Sequence, residues 1–511
     1  MKIGLYDRWL STMGGGERYA LTIAAHLAKA HAVTVLSHTP VRAGDIAARL
    51  RLDLSGIDFC AVPLRPPAEL GRVAAQYDLF INASHQNFVP PLARRNALVV
   101  FFPARPPSGI VRRIRRATAP RIERWARLPR PAEGVYGSET VFDVHAHGLG
   151  QTAAFDLPAW PRPVTVRMAL AAAAPSVTGA ELRLDEKTVD EIALSESGRF
   201  YAVTVTAPAG ARTLSIHARG SRTDGPLWLY ATPPQADHLR GRLFRRLFDQ
   251  TWPNLGDRIR NSLPPNLGAI AAGYDLIWAI SAFTQRWIAA YWDLPSTILY
   301  PPVDVRQFAP HSKRPQILSV GRFFAHNHNK KHLVMIEQFR ALVDAGLTGW
   351  ELHLAGGSTA GAQHQDYLRR VHAAAQGYPI HVHVDIAHSR LVDLYGSSSI
   401  YWHASGYGED EARHPARFEH FGITAVEAMA AGCAPVLIGR GGLAELVRHG
   451  EDGYLWYTTD ELRGHTLRLI QDSALRSRIA QAALVSSRRF DVAAFEAGVD
   501  RSLAPLLSGI A

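Results

Sequence analysis

At 511 residues the chain is too long for one hydrophobic core and calls for two or three domains. Hydrophobic residues make up 47% and charged residues 20%, an ordinary globular balance, and the longest apolar candidate for a membrane span, Leu267 to Phe283, is broken by Gly273 and Asp275. Net charge is +11, carried by 50 arginines and only six lysines, which predicts an anionic partner: nucleic acid, anionic lipid or a phosphorylated substrate. Met1 to Tyr6 runs straight into Asp7 and Arg8 with no signal-peptide pattern. Cys60 and Cys433 alone make neither a disulfide framework nor a zinc site, so a reducing compartment is expected.

Lys2 to Tyr6 reads as a buried strand, followed by the glycine loop Gly14-Gly15-Gly16-Glu17-Arg18. Ala20, Ile23, Ala24, Leu27 and Ala28 then fall at helical spacing before a second strand at Val33 to Leu36. This strand, loop, helix and strand open a doubly wound α/β domain, although the loop is neither G-x-G-x-x-G nor a P-loop. Asp78 to Asn82 and Ala97 to Phe102 continue as parallel strands. The texture breaks at Arg112 to Arg130, where eight arginines and one acid surround Ile114, Ile122, Trp125 and Leu128. From about Val141 to Thr232, period-two runs at 164–168, 180–184, 200–205 and 213–217 predict a β-sandwich. A second basic stretch, Leu239 to Phe248, is expected to place Leu239, Leu243, Leu247, Phe244 and Phe248 on one helical face.

The α/β texture resumes at Asp275 to Ile280, and Tyr300-Pro301-Pro302-Val303-Asp304 is a stiff connection between domains. A second α/β domain starts at Gln316 to Arg322. Its strands are expected at 350–355, 381–384, 400–403, 435–438 and 453–457. The expected organisation is an N-terminal Rossmann-like domain at 1–135, continued at 236–302. A β-sandwich-like insertion occupies 136–235, a C-terminal Rossmann-like domain 303–490, and a helix at 491–511 returns to the first domain.

Several features of the second domain converge. Gly321-Arg322 stands at a strand end, where parallel sheets bind ligands. Lys330-Lys331 opens a helix after the polar loop Ala325 to Asn329, and with Arg322 it suits a diphosphate. The stretch Arg417 to Gly432 reads as a loop turning into a helix, with Thr424 as N-cap, Glu427 as its capping-box partner and Gly432 as the stop. Glu419 precedes that helix, and Phe421, Gly422 and Ile423 present backbone N–H groups at its positive end.

These residues together resemble the retaining, nucleotide-sugar-dependent glycosyltransferases of family 4, which have the two-Rossmann-domain GT-B fold. The resemblance rests on the Gly14–Arg18 loop, Tyr300 to Asp304, Ser319 to Phe323, Lys330, and Glu419-x7-Glu427 with Ala428 to Gly432. Gly441-Gly442, Glu445 and His449 to Gly453 extend it. It covers the second domain well, the first partly and the insertion not at all. It implies that Arg322 and Lys330, with Lys331 as the alternative lysine, hold the donor diphosphate near Gly321, and that Glu427 takes the ribose hydroxyls. Glu419 would contact the transferred sugar. Phe421, Gly422 and Ile423 would meet the diphosphate or sugar through their backbone. Gly15 and Gly16 would approach it from the other domain, and Val384 to Ala387 would hold the base. No metal or other cofactor is implied, because the cations stabilise the leaving diphosphate. One departure concerns the acceptor: many relatives carry a histidine just after the strand that here ends in Phe101-Phe102-Pro103. His85 is the alternative acceptor residue, and Glu409, in Tyr407 to Glu411, is either a second one or part of a solvated acidic loop.

Glu419-His420-Phe421-Gly422 is similar to the form seen in mannosyltransferases that use GDP-mannose and a lipid-linked acceptor, so GDP-mannose is the favoured donor and UDP-sugars come next. The expected partners are the nucleotide-sugar and a glycan or lipid-linked acceptor of the cell envelope. An anionic membrane surface, met through Arg112 to Arg130 and Leu239 to Phe248, would make the protein peripheral at the inner face of the membrane. No helix-turn-helix or aromatic stacking pattern supports nucleic acid. Trp160 and Trp228 serve equally as sugar platforms or as core. The rival reading is a catalytically silent carbohydrate- or membrane-binding protein on the same fold.

Overall fold

The computed structural model describes residues 1–38, 41–62, 67–87, 89–106, 121–122, 125–141, 144–172, 177–196, 199–220, 229–247, 267–325, 329–358 and 361–508. The chain divides into two compact units: Met1–Leu98 with Ala104–Asp275, and Val99–Pro103 with Leu276–Ala511.

The first unit begins with β1 (Lys2–Tyr6), α1 (Gly15–Ala28), β2 (Ala32–Ser37), α2 (Ala43–Leu50), β3 (Ile57–Ala61), α3 (Pro67–Ala74), β4 (Leu79–Asn82) and β5 (Arg95–Val100). All the strand pairs are parallel and run β5-β4-β1-β2-β3 across the sheet. β1 and β4 are therefore neighbours although they are not consecutive, and the sheet reverses its direction of growth between them. Burial of β1, β4 and β5 on both faces explains their unbroken apolar runs. The strand expected at 97–102 ends at Val100, with Pro103, which has no N–H to give a ladder, close behind.

The insertion is a β-sandwich. One antiparallel sheet runs β13 (Tyr201–Ala207), β10 (Val164–Ala172), β15 (Leu229–Ala231), β8 (Val144–Leu149), β7 (Val135–Val141), with β16 (Gln235–Ala236) beside β10. The other runs β12 (Lys187–Ala193), β11 (Val177–Leu184), β14 (Thr213–Gly220), β9 (Thr152–Asp156), β6 (Arg130–Pro131). Alternate side chains of the facing strands fill the space between them, Val166, Met168 and Val205 from one sheet and Leu182, Leu214 and Ile216 from the other. Trp160 is buried in this core and donates its indole N–H to the Arg127 carbonyl, so it is no sugar platform; Trp228 lies outside the described residues.

The basic helix after the sandwich is short, α4 (Leu239–Phe244), capped by His238, whose ring accepts from Gly241 N at 3.3 Å. Its apolar residues do not share one face as expected. Phe244 is fully buried in a cluster with Ala126, whereas Leu239, Leu243 and Leu247, four residues apart, are exposed. A helix advances 100° per residue, so the i, i+4, i+8 leucines form a separate stripe. Of the other basic segment, 112–120 and 123–124 lie outside the described residues, as does Phe248.

After α5 (Leu267–Ala271) in the first unit, the second unit carries β17 (Leu276–Ala279) and β18 (Thr297–Ile298), joined by α6 (Ala282–Trp292), then β19 (Arg314–Val320), α7 (His332–Asp344) and β20 (Glu351–Gly356). There follow α8 (Ala362–Ala375), β21 (Ile380–Val384), α9 (His388–Ser397), β22 (Ser398–His403), α10 (Ile423–Ala430), β23 (Ala434–Ile438) and β24 (Tyr454–Trp456). The chain closes with α11 (Thr459–Gln471), α12 (Ser473–Ser487) and α13 (Val492–Leu507). Its main sheet is β21-β20-β19-β22-β23-β24, parallel throughout. Counted from β19 this is the order 3-2-1-4-5-6, in which ligands bind beyond the carboxyl ends where the order reverses, here between β19 and β22. α13 lies against the β17–β18 region: Trp278 Nε1 donates to Ser502 Oγ at 2.9 Å. The two sheets give the molecule the α/β class of two Rossmann-like folds, each with a crevice beyond the carboxyl ends of its strands.

Candidate active site

The crevice between β19 and β22 is built on close backbone approach. Gly321 follows β19, and a Cβ there would stand 2.5 Å from Cγ of Lys330. Gly356, at the end of β20, would put a Cβ 2.0 Å from the Gly321 carbonyl oxygen. Only glycine allows these turns to stack with the lysine lying across them. Arg322, next to Gly321, is exposed, its guanidinium 5.9 Å from the ring centre of Phe324.

The two lysines part company. Lys331 takes a left-handed conformation (φ 58°, ψ 40°) at the start of α7, held by Asn329, whose side-chain oxygen accepts from Lys331 N at 2.6 Å. Asn329 is fixed in turn by the Phe324 carbonyl and Tyr367. This kink aims adjacent side chains at different acids. Lys330 Nζ is ion-paired with Glu419 Oε2, and Lys331 Nζ with Glu409 Oε1 at 2.8 Å. Arg417 takes the other Glu409 oxygen at 2.9 Å. Each Glu409 oxygen thus meets a cation, in a side chain only 19% exposed.

Glu419 has a second neighbour, missed in the sequence. His403, the last residue of β22, is buried, with Nε2 3.5 Å from Glu419 Oε2. Its Nδ1 accepts from Ser405 N at 3.3 Å, which places its proton on Nε2, facing the carboxylate. Burial pushes His403 below the ordinary histidine range, against the opposing pull of Glu419. Burial alone would raise the Glu419 carboxyl; the Lys330 ammonium and His403 outweigh it and hold the group well below the usual range. Glu419 is a carboxylate at any pH near neutrality.

The motif helix α10 begins differently from the sequence expectation. Its N-cap is Gly422 at φ 107°, not Thr424, and no side chain caps it. A left-handed residue turns the chain sharply into the helix, and a Cβ on Gly422 would meet Leu443 Cδ2 at 2.6 Å. Thr424 is already inside the first turn, where its hydroxyl accepts from Tyr401 at 2.9 Å. Glu427 makes no capping box either: it accepts from Tyr395 OH at 2.7 Å. Ile423 is the first helical residue, so its N–H belongs to the donors that a helix start leaves for a ligand. Phe421 is buried against Tyr300 and Phe490, leaving only its backbone to face a ligand. Gly441 and Gly442 pack directly beneath, Gly442 N donating to the Glu419 carbonyl at 2.7 Å. Glu445 receives the N–H groups of Ala282 and Phe283, at 2.8 and 3.2 Å, and the Tyr300 hydroxyl at 2.9 Å, so it caps α6.

Phe102 fills the place where the resemblance leads one to look for histidine. Its ring stacks on His420 at 4.3 Å and on Phe283 at 5.7 Å, in a buried aromatic cluster with Phe418. Val384 ends β21, and Asp385, with positive φ, receives Ser358 N at 2.9 Å beside Gly357.

The first unit has its own crevice, at the ends of β1 and β4. α1 starts at Gly15, so Gly15 and Gly16 form its first turn, and Gly14 N donates to Glu17 at 2.6 Å. Asp7, just past β1, is buried; burial first, then the charge of Glu17, pushes its carboxyl up to about 8. His85, just past β4, is exposed and its carbonyl accepts from Trp9 Nε1 at 3.1 Å.

Residues 303–485 match the family model "Glycosyl transferases group 1", the segment that carries every residue of the Lys330–Glu419 crevice. A glycosyltransferase from Rickettsia africae ESF-5 is similar at 11% identity over 98% of this chain and 98% of its own, with a TM-score of 0.53. HepE from Anabaena is similar at 14% identity over 99% of this chain and 100% of its own, with TM-scores of 0.52 for its complex with UDP and 0.51 for that with UDP-glucose. No curated protein matches the chain in sequence. Identities this low speak for the fold, which is the GT-B architecture of glycosyltransferases. The match to the group 1 model falls within the second unit of that fold.

Proposed function

We propose that the protein is a retaining glycosyltransferase that moves a sugar from a nucleotide-sugar to a lipid-linked or cell-envelope glycan. The observation that carries the reading is the Lys330–Glu419 pair, lying across Gly321 at the reversal point of a parallel sheet. Gly321 lets the lysine lie at the strand end, with its ammonium at the point where a parallel sheet of this order takes its ligand. Residues 303–490 form the donor half, 1–135 and 236–302 the acceptor half, 136–235 the insertion and 491–511 the returning helix.

In this reading Lys330, rather than Lys331, holds the diphosphate with Arg322, because Lys330 lies across Gly321 beside Arg322 while the left-handed turn sends Lys331 to Glu409. The N–H of Ile423 and the turn at Gly422 add backbone donors, and Glu427, steadied by Tyr395, takes the ribose hydroxyls. As the bond between the anomeric carbon and the donor phosphate lengthens, Lys330 and Arg322 meet the growing negative charge on the phosphate oxygen. Glu419, fixed as an anion, faces the sugar, and the departing phosphate takes the proton of the acceptor hydroxyl on the same side, giving retention. No metal is needed for these steps. GDP-mannose remains the favoured donor from Glu419-His420-Phe421-Gly422; UDP-glucose, which HepE binds, is the next to test.

His85, beyond the end of β4, is proposed for the acceptor. The membrane is proposed as the acceptor's location, with the protein peripheral on its cytoplasmic face. Exposed Leu239, Leu243 and Leu247 offer an apolar stripe beside Arg240, Arg242 and Arg246. Among the described residues no helix is long and apolar enough to cross a membrane. Vesicles of anionic lipid should retain the protein at low salt and release Leu243→Asp; equal retention of both ends the membrane proposal.

The experiment for the activity is nucleotide release from a panel of GDP- and UDP-sugars with a lipid extract. Release should occur with one donor class and fall steeply in Lys330→Ala and Glu419→Gln. Equal release by all three proteins, or none by the wild type with any donor, would favour a silent binding protein.

A further inference from the structure

β20 and β21 form the edge of the second unit's sheet, and one face of that pair carries an unusual set of side chains. Glu351 and His353 alternate along β20, and His381 and His383 along β21, with His353 directly opposite His381 in the register. Side chains two apart on a strand share a face, so all four project to the same side. Glu351 Oε2 lies 3.0 Å from His353 Nε2, and Glu351 Oε1 lies 3.7 Å from His381 Nε2. One ligand atom from each of these three residues falls within 4.8 Å of the others. Ligand atoms about 2.0–2.1 Å from a tetrahedral zinc ion stand about 3.3 Å apart, so the observed spacings bracket what coordination requires.

We propose that Glu351, His353 and His381 bind a zinc-class divalent ion that ties the edge strand to its neighbour. The donor set is two imidazole nitrogens and one carboxylate oxygen, which suits zinc better than calcium or magnesium. His353 is 8% exposed, Glu351 42% and His381 48%, so the ion rests on a buried ligand with its fourth position open to water. His383 is a positioning residue. Its Nε2 is 3.0 Å from His353 Nδ1, on the side of the ring away from Glu351. When the ion takes the Nε2 lone pair of His353, the imidazole proton sits on Nδ1 and Nδ1–H donates a hydrogen bond to His383 Nε2, which fixes the ring. The two rings are coplanar to within 9° at 5.2 Å, the arrangement such a bond needs.

The site is separate from the proposed transfer chemistry. Glu351 starts β20 and Gly356, under the donor crevice, ends it, about 16 Å away at ~3.3 Å per residue. Its ion therefore acts on strand pairing. Among the described residues β21 has no strand on its far side, and an ion held by one ligand from β21 and two from β20 fastens it where one ladder otherwise does.

The test is titration of the untagged, metal-stripped full chain with Zn2+, read by calorimetry and by metal content after dialysis. One ion per chain is expected, with His381→Gln and Glu351→Gln each weakening it more than about 100-fold. His383→Phe, which keeps a ring but cannot accept the proton, should weaken binding ~10–100-fold. His372→Ala, an exposed histidine on α8, should leave it unchanged. Zn2+ should raise the unfolding temperature of the wild type and not of His381→Gln, which is half exposed and tolerates substitution. Equal uptake by wild type and His381→Gln, or no uptake by the wild type, overturns the proposal.

Discussion

Two carboxylates of this molecule, Glu181 in the sandwich and Glu419 in the donor crevice, are both held well below the usual range, for different reasons. Glu181 lies on a sheet face, where Arg183, then Thr188 and Arg219, hydrogen-bond it, and Arg219 also pairs with Glu191. Its partners come from β11, β12 and β14, paired strands of one sheet, so the network ties strands together. Glu419 is reached from a loop and a strand end, by Lys330 and His403, above turns that only glycine can make. A perturbed carboxylate alone does not mark a site; one that gathers charges at strand ends, over glycine turns, does.

Breaking the pair at Glu419 should separate the two most. Lys330→Ala and Glu419→Gln are expected to lower transfer about 10²–10³-fold, the range for removing a preorganised electrostatic group, while Glu181→Gln leaves it within about twofold. Steady-state nucleotide release measures both. Gly422→Ala comes next. With φ at 107° and Leu443 in the way, it should cost ~1–3 kcal/mol, read from the denaturant midpoint of the second unit, and lower transfer with it.

The buried histidines of the second unit give a pH signature that the sandwich network does not. Burial pushes His332 down to about 3 and lowers His403, so folded His332 takes no proton between the ordinary histidine range and about 3, and folded His403 takes its proton at lower pH than it does unfolded. The unfolded chain does take one at each. Stability therefore falls as pH drops below about 6.5, by about 1.4 kcal/mol per pH unit for each such histidine, and His332→Phe should flatten the slope in acid melts. Glu419, depressed in the folded state, contributes above the ordinary carboxylate range and loses its contribution only at lower pH. Lys331→Ala should have the smallest effect, ~1 kcal/mol or less on stability and under tenfold on transfer, since it removes a partly exposed pair with Glu409.

The fold was legible where sequence pattern and burial coincide. Parallel strands buried on both faces are continuous apolar runs, sandwich strands alternate, and the strands that the pattern predicts lie within a few residues of those observed. Charge pairing was not legible. Lys330 and Lys331 are neighbours in sequence, and only the left-handed turn at Lys331 sends them to different acids. His403 reads as the tail of an apolar strand, though its place at a carboxyl end was a signal that could have been used. Thr424 and Glu427 have the spacing of a capping box, but Gly422 starts the helix earlier and frees both side chains for tyrosines. Leu239 to Phe248 misled because periodicity shows which residues share a stripe, and not which stripe is covered.

The most direct test is calorimetric titration of the nucleoside diphosphates UDP and GDP into wild type, Lys330→Ala and Lys331→Ala. The account predicts that one nucleotide binds, that Lys330→Ala weakens it at least tenfold, and that Lys331→Ala changes it less than threefold, as expected when the ammonium lying across Gly321 meets the diphosphate and the other is turned toward Glu409. Equal affinities for wild type and Lys330→Ala would contradict it.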